Sequence, residues 1–488
     1  MKKNRVLLYT VLSLFALLIA YILINTFKLS SKQLSVAKVD KIEISDMAID
    51  RFSQAIQIQT VSPEDISNFD SLQFVRFNQY LKNSYPLADS LLDHLVFNKF
   101  SHLYRWKGTQ SQEKPIILMG HLDVVPVIEG NLKYWKQPPF GGQIIRDTLW
   151  GRGSIDDKIG VVGVLEAIEL LLAQNYQPNR DVYLAIGHDE EIGGNLGARA
   201  MANYLIEKGV QAEFIMDEGG SITQGMIPGM DQDVALVGVA EKGSVSIELT
   251  VELEGGHSSM PGKETAIDVL SKAISALKSN PFKAQISKPI EGFIEYLGPE
   301  MPFFNKMAFA NSGLFEPMIL KSYEASSSGN ALIRTTTAPT IFNSGVKDNI
   351  IPLSARATVN FRIISGSSIQ EVIDHVKNVI DDERISVKES GFNTEPSKVS
   401  STEAFGFEAI HKSIAEIYPG TIVSPYLVVG ATDARHFNEI SENIYRFLPV
   451  RITKSNIKSF HGINERISTD EFENAVRFYI QLIKNSDQ

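Results

Sequence analysis

The residues able to do chemistry in this chain fall into four short acidic clusters and one distant histidine. The clusters read His121-Leu122-Asp123, Asp156-Asp157-Lys158, Asp189-Glu190-Glu191 and Asp217-Glu218-Gly219, and the histidine sits in Ser459-Phe460-His461-Gly462. Three clusters follow apolar runs: Pro115-Ile116-Ile117-Leu118-Met119, Val182-Tyr183-Leu184-Ala185-Ile186 and Phe214-Ile215-Met216. Such runs, alternating with helical patterns, read as buried strands, and α/β proteins gather their chemistry at strand ends. Carboxylates brought to one rim repel each other unless cations hold them. Singly, each cluster has an ordinary explanation: Asp-Asp-Lys as helix capping, Asp-Glu-Glu as a solvated turn, Asp-Glu-Gly as a strand exit. Together they point to a metal site. The chain has no cysteine, so His, Asp and Glu are the strong ligands left to it.

The elements that must position these groups are legible from periodicity. Amphipathic helices are expected at Ile44–Ile58 and Phe74–Leu81, strands within Val96–Trp106 and Pro115–Asp123, and a buried helix at Lys158–Ala173. A glycine-punctuated turn, Trp150-Gly151-Arg152-Gly153-Ser154, delivers Asp156 and Asp157. Helix Gly194–Glu207 and strand Ala212–Asp217 continue an alternation that predicts an α/β fold with a mixed, mostly parallel sheet.

Near Ala240 the character changes. Alternating strands at Ser244–Glu254, Ser354–Ile364 and Arg384–Glu389, with amphipathic helices at Glu264–Ser279 and Ser368–Ile380, predict an inserted α+β domain. Residues 280–335 read as irregular. The expected boundaries are 1–42 for a membrane anchor and tether, 43–240 and 392–488 for a split catalytic domain, and 241–391 for the insertion. His94, His102, His375 and His411 lack acidic partners in the sequence and receive no role.

Composition narrows the partners. A net charge of −10 argues against nucleic acid. Met1-Lys2-Lys3-Asn4-Arg5 precedes an uncharged run, Val6–Phe27, of 22 residues, enough for a single-pass helix of roughly 20. A cleaved signal peptide is the competing reading, but the run exceeds the usual apolar core of about 7–15 residues and lacks a small-x-small site. The expectation is therefore a retained anchor, a cytoplasmic N-terminus and an extracytoplasmic catalytic region.

With these motifs in place, the chain resembles the aminoacylase/carboxypeptidase-S metallopeptidases, peptidase family M-twenty. The resemblance runs from about residue 45 to the C-terminus and is strongest to the carboxypeptidase S and N-fatty-acyl-amino-acid synthase/hydrolase branch. That branch is marked by Asn330-Ala331-Leu332-Ile333-Arg334-Thr335-Thr336-Thr337-Ala338-Pro339-Thr340. The resemblance implies a zinc-peptidase-like catalytic domain carrying an inserted lid/dimerisation domain. It implies two zinc ions, replaceable by cobalt, bridged by Asp156. His121 and Asp217 complete one site, and Glu191 and His461 the other. Relatives place either Asp or Glu at the Asp217 position, and Glu218 is adjacent. Asp123 is implied to hold His121, Glu190 to act as general base, and the Asp156–Asp157 peptide to be cis. On the insertion, His257 matches a histidine that reaches the neighbouring subunit's active site and stabilises the oxyanion, which implies a homodimer. Asn349 and Arg362 match positions that bind the substrate's carbonyl and carboxylate, and Arg435 lies in a matching loop, Gly430–His436.

The expected activity is metal-assisted hydrolysis of amide bonds in peptides or N-acyl amino acids with a free carboxylate. Two rivals are the reverse condensation of a fatty acid with an amino acid, and an inactive membrane receptor or scaffold.

Overall fold

The computed structural model describes residues 2–110 and 112–487. At its centre four parallel strands lie side by side in the order Val182–Gly187, Ile116–His121, Phe214–Asp217, Ile444–Arg446. All their residues are buried, as unbroken apolar runs covered on both faces require. Further strands, joined by both antiparallel and parallel pairing, extend this core to a ten-stranded mixed sheet. Helix Lys158–Ala173 packs against strand Ile116–His121 and the C-terminal helix Thr469–Asn485. The strand expected within Val96–Trp106 is a hairpin, Asp93–Phe97 with Ser101–Trp106. Its turn places Asn98 and Lys99 at φ of +46° and +73°, and a lysine there gives no glycine-type turn signal.

A second, antiparallel sheet has four strands in the order Thr336–Ser344, Ser354–Ile363, Gly243–Glu252, Ile385–Thr394. Val245, Ile247 and Leu249 on its covered face form a separate core with Val269, Leu270, Val372 and Val376 of helices Ala266–Ser279 and Ile369–Ile380. Both helices begin on side-chain caps, Thr265 in a capping box with Asp268, and Ser368 on the Glu371 amide, which satisfies otherwise orphaned N–H groups. The fourth strand, Thr336–Ser344, falls within and just beyond the family-like motif and was not anticipated as a strand.

Residues 280–335 are helical rather than irregular: Lys288–Leu297, Phe303–Ala310, Ser312–Glu324 and Ser327–Ile333. Pro289 and Pro302 stand at helix starts and Pro317 inside a helix, so the segment is divided into short pieces with no continuous period in sequence. At the N-terminus, Lys2–Lys28 is one helix, long and apolar enough to cross a membrane, a test that a signal sequence also passes. The following tether is seated on the body. The Gln33 amide group donates to Val423 O at 3.0 Å and accepts from Val423 N at 2.8 Å. Lys32 pairs with Glu295 at 2.7 Å, and Arg477 Nε donates to Ile42 O at 2.8 Å.

Candidate metal centre and active site

Strand ends bring the acidic clusters together. His121 closes its strand, Asp189–Glu191 follow the strand ending at Gly187, and Asp217 ends the next one. Asp156 precedes helix Lys158–Ala173 across a cis Asp156–Asp157 peptide, as the resemblance implied. His461 enters from a loop at φ +53°.

Asp156 is the hub. Its Oδ1 lies 3.0 Å from His121 Nε2, and its Oδ2 lies 3.0 Å from His461 Nε2. His461 Nε2 is also 3.3 Å from Glu191 Oε2. Two metal ligands at tetrahedral positions about 2.1 Å from one ion lie about 3.4 Å apart, so these spacings suit ligands sharing cations. The ligand atoms form two groups, His121–Asp156–Glu218 and Asp156–Glu191–His461, each with all members within 4.8 Å of one another.

Glu218, rather than Asp217, thus groups with His121 and Asp156. Both oxygens of Asp217 are engaged by backbone: Oδ1 accepts from Glu218 N at 3.0 Å and Oδ2 from Ala434 N at 2.8 Å.

The donor set fits divalent metal. His121 Nδ1 is 3.0 Å from Asp123 O and 3.3 Å from Asp123 Oδ1, which places its proton on Nδ1 and frees Nε2 as a ligand. Glu191 Oε1 is buried with no hydrogen-bond partner among the described residues. Burial and the charges of Asp156 and Asp157 push Glu218 well above the usual carboxylate range. Burial and the Asp156 charge raise Glu191 against the pull of His461. Despite burial, hydrogen bonds that Asp123 and Asp156 accept from its ring hold His121 well above its ordinary value, and Asp156 and Glu191 lift His461 to about 10. The cluster thus gathers more buried negative charge than its histidines balance, which is the electrostatic condition for binding cations.

Glu190 is poised beside this cage without belonging to it. Burial, then the Asp433 and Glu191 charges, push its carboxyl well up against the opposing pull of His121. Its Oε1 is 3.9 Å from Arg435 Nη1. Asp123 holds both glutamates in place, accepting from Glu190 N and Glu191 N at 3.2 Å each.

Arg435 also reaches the second sheet. Its guanidinium lies 5.3 Å from the Phe392 ring. Burial and the Arg435 charge lower the pKa of half-buried Arg362. Arg435 beside Glu190, with Arg362 near enough to feel its charge, has the chemistry to take an anion, a carboxylate above all. His257 and Asn349 are elsewhere. His257 lies in, and Asn349 directly before, a short ladder of Gly256–His257 with Ile350–Ile351, and both are exposed. His257 Nδ1 accepts from Ser259 N at 3.1 Å, leaving Nε2 as an outward donor.

Some positioning residues were missed in sequence. Buried Glu465 accepts at Oε1 from Gly153 N, Ile155 N and Asp156 N at 2.8 to 3.2 Å, and at Oε2 from Arg152 Nη1 at 2.5 Å. Arg152 Nη2 donates to Gly462 O at 2.8 Å. This latch clamps the Asp156 turn to the His461 loop. Its only sequence signal was an arginine inside a glycine turn and a glutamate four residues past His461. Glu241 similarly accepts from Thr432 N, Thr432 Oγ1 and Arg446 Nε, each at 3.1 Å, fixing the loop that carries Arg435.

Comparison with known proteins agrees with this architecture. The family model described as "Peptidase family M20/M25/M40" matches residues 117–485. The chain is 40% identical over 485 residues to the N-fatty-acyl-amino acid synthase/hydrolase PM20D1 of Xenopus tropicalis, covering 96% of this chain and 93% of that one. It is 38% identical over 478 residues to a probable carboxypeptidase S-like protein 2 of Dictyostelium discoideum, covering 96% and 92%. Among solved structures, an M20 family metallo-carboxypeptidase from Sulfolobus solfataricus superposes with a TM-score of 0.68 at 18% identity, covering 90% of this chain and 99% of that one. The chain belongs to peptidase family M20/M25/M40, on its carboxypeptidase S and N-fatty-acyl-amino-acid synthase/hydrolase branch, and is a metallopeptidase-type hydrolase.

Proposed function

We propose that this chain is a two-zinc amidohydrolase acting on N-acyl amino acids, or on peptides that end in a free carboxylate. The observation that carries this reading is the position of Asp156, one oxygen 3.0 Å from each of two histidines. His121, Asp156 and Glu218 would hold one ion, and Asp156, Glu191 and His461 the other. When bound, the pair of zinc or cobalt ions supplies an acidified water and polarisation of the scissile carbonyl.

The remaining work falls to the chain. Glu190 takes the proton of the attacking water and returns it to the leaving amine. Its burial suits this, because a carboxyl whose proton is held more tightly than usual can both take up and return one. Asp123 orients Glu190 and Glu191 through their amides and holds the His121 tautomer. Arg435 and Arg362 bind the substrate carboxylate, which places the amide nitrogen within reach of Glu190. His257, with Asn349, completes the oxyanion site of a second copy of the chain, brought there by the second sheet acting as lid and dimerisation domain. Helix Lys2–Lys28 holds the enzyme on a membrane with its catalytic body outside the cytoplasm.

The Xenopus relative's printed name includes synthesis. Condensation uses the same residues in the reverse direction, so both directions follow from one site. A complete metal-ligand set with Glu190 beside it argues against an inactive scaffold.

The test is a panel of long-chain N-acyl amino acids and dipeptides, assayed with the full-length chain before and after metal removal. About two zinc ions per chain are expected, with activity lost on chelation and restored by zinc or cobalt. Full activity after elemental analysis shows the metal gone would overturn the proposal.

A further inference from the structure

The N-terminal helix is bare over its most apolar stretch, with 0% of that window buried, yet its last turns are not. Asn311 Nδ2 donates to Ile22 O at 3.2 Å, and Asn25 Nδ2 donates to Asn311 Oδ1 at 3.0 Å. Thr26 is buried against the same contact, and the Phe27 ring lies 6.4 Å from that of Phe303. The partners are helices Phe303–Ala310 and Ser312–Glu324 of the segment between the two cores. Their exposed residues include large apolar side chains, Phe303 at 46%, Phe304 at 75%, Leu314 at 50% and Met318 at 54%, with Asn305, Glu316, Lys321 and Glu324 among them. Leu314, Pro317, Met318 and Lys321 recur at the spacing of one helix face, and Ile319 on another face is buried.

We propose that these two helices form a platform embedded in the surface of the bilayer that the N-terminal helix crosses, and that amphipathic acyl substrates pass over it to the active site. The proposal rests on reading Val6–Phe27 as a membrane span. Scattered exposed apolar side chains need no explanation, but a group continuous with a bare apolar helix does. Whatever covers that helix must also meet the helices packed against its end. The depth agrees. Ile22 lies five residues before Phe27, about 7.5 Å along the axis at about 1.5 Å per residue. Helices lying in a membrane interface sit about 5–10 Å deep. Lys28 and Lys321 rim the surface, as amphipathic cations do at a headgroup layer.

The platform is joined to the chemistry. Helix Ser327–Ile333 follows directly, and buried Lys242 donates from Nζ to Ala331 O at 2.9 Å and Arg334 O at 2.8 Å. Lys242 adjoins Glu241, which fixes the loop carrying Arg435. One short segment therefore separates the apolar surface from the proposed carboxylate receptor. That order suits a substrate with an acyl tail and a carboxylate head.

Because the chain has no cysteine, single probes can be introduced cleanly. Leu14→Cys, Phe304→Cys, Met318→Cys and Val346→Cys would each carry an environment-sensitive fluorophore. The full chain would then be reconstituted in phosphatidylcholine vesicles containing nitroxide-labelled lipid. Quenching and a blue shift are expected at positions 14, 304 and 318, and neither at Val346, which is 93% exposed. Quenching at 14 with aqueous probes at 304 and 318 leaves the span standing and overturns the platform. An aqueous, unquenched probe at 14 overturns the span and the platform with it. A blue shift at 304 without lipid quenching means a protein, such as a second copy, covers the surface, and also overturns the proposal. As a functional readout, Phe304→Ser combined with Met318→Ser should raise KM for a vesicle-borne long-chain N-acyl amino acid on the order of tenfold. Hydrolysis of a soluble short-chain analogue should be unchanged. Equal effects on both substrates would refute the delivery role.

Discussion

Replacing Asp217 by Asn and Glu218 by Gln should give opposite results, although the residues are adjacent. Asp217 is buried, and its two oxygens each accept one backbone N–H, from Glu218 at 3.0 Å and Ala434 at 2.8 Å. Asn can satisfy one of these donors and presents an NH2 group to the other. Leaving one buried N–H unpaired costs about 1–3 kcal/mol, so Asp217→Asn should lower the unfolding temperature in the presence of chelator. Both proposed ligand groups stay intact, and the metal content should remain about two per chain. Glu218 is different. Burial and the Asp156 and Asp157 charges disfavour its ionised form, so Gln removes repulsion and should leave the metal-free protein as stable or more so. Affinity for one ion should fall by more than the roughly 10–100-fold that loss of a ligand's outer partner costs. The assay is elemental analysis after dialysis against buffered zinc, paired with thermal unfolding in chelator. If Asp217→Asn drops to one ion while Glu218→Gln retains two, the assignment of Glu218 as ligand is wrong.

Other expectations follow from the same geometry. Glu190→Gln should reduce turnover by roughly 10²–10⁴-fold, the range for losing a general acid–base, with metal retained. Glu191→Gln should instead lose metal, and an exchange of these phenotypes would reverse the two roles. Refolding Glu190→Gln together with His257→Ala should restore activity, up to half of wild type per mixed dimer; verified heterodimers that stay inactive would place His257 in cis. Burial lowers His411 to about 4, below its unfolded value of about 6.5. The unfolded chain therefore binds this proton first, and the contribution of neutral His411 is complete above about pH 6.5 and lost as pH falls toward 4, by up to about 3 kcal/mol. His411→Gln keeps an acceptor near the Leu34 N–H, which His411 Nε2 meets at 3.4 Å. It should flatten the fall of unfolding temperature across that window; an unchanged slope would show that His411 does not drive it.

Much of this protein is written locally. The apolar runs ending at His121, Ile186 and Met216 mark buried strands because a strand covered on both faces has no reason to alternate. The carboxylates that follow them mark a cation site because nothing else offsets their repulsion. Helix Ala266–Ser279 matched its periodicity because its apolar positions record the one sheet face it covers, whereas Lys158–Ala173, packed on several elements, reads as an almost unbroken apolar run. The helices of residues 280–335 left no such record. Most are only two or three turns long, one carries Pro317 inside it, and together they pack on different neighbours, so no single period runs through the segment.

Tertiary structure alone decided the finer chemistry. Sequence could not choose between Asp217 and Glu218, because both are acids one residue apart. In the structure Glu218, just past the strand end, groups with His121 and Asp156, while the Ala434 amide arrives from more than two hundred residues away to engage Asp217. Nor could it reveal that Glu465 and Arg152 clamp the two loops bearing Asp156 and His461, or that Arg435 meets Glu190 and Phe392 together. Those relations join segments remote in the chain, and a local pattern records what one segment buries, not which distant group it meets.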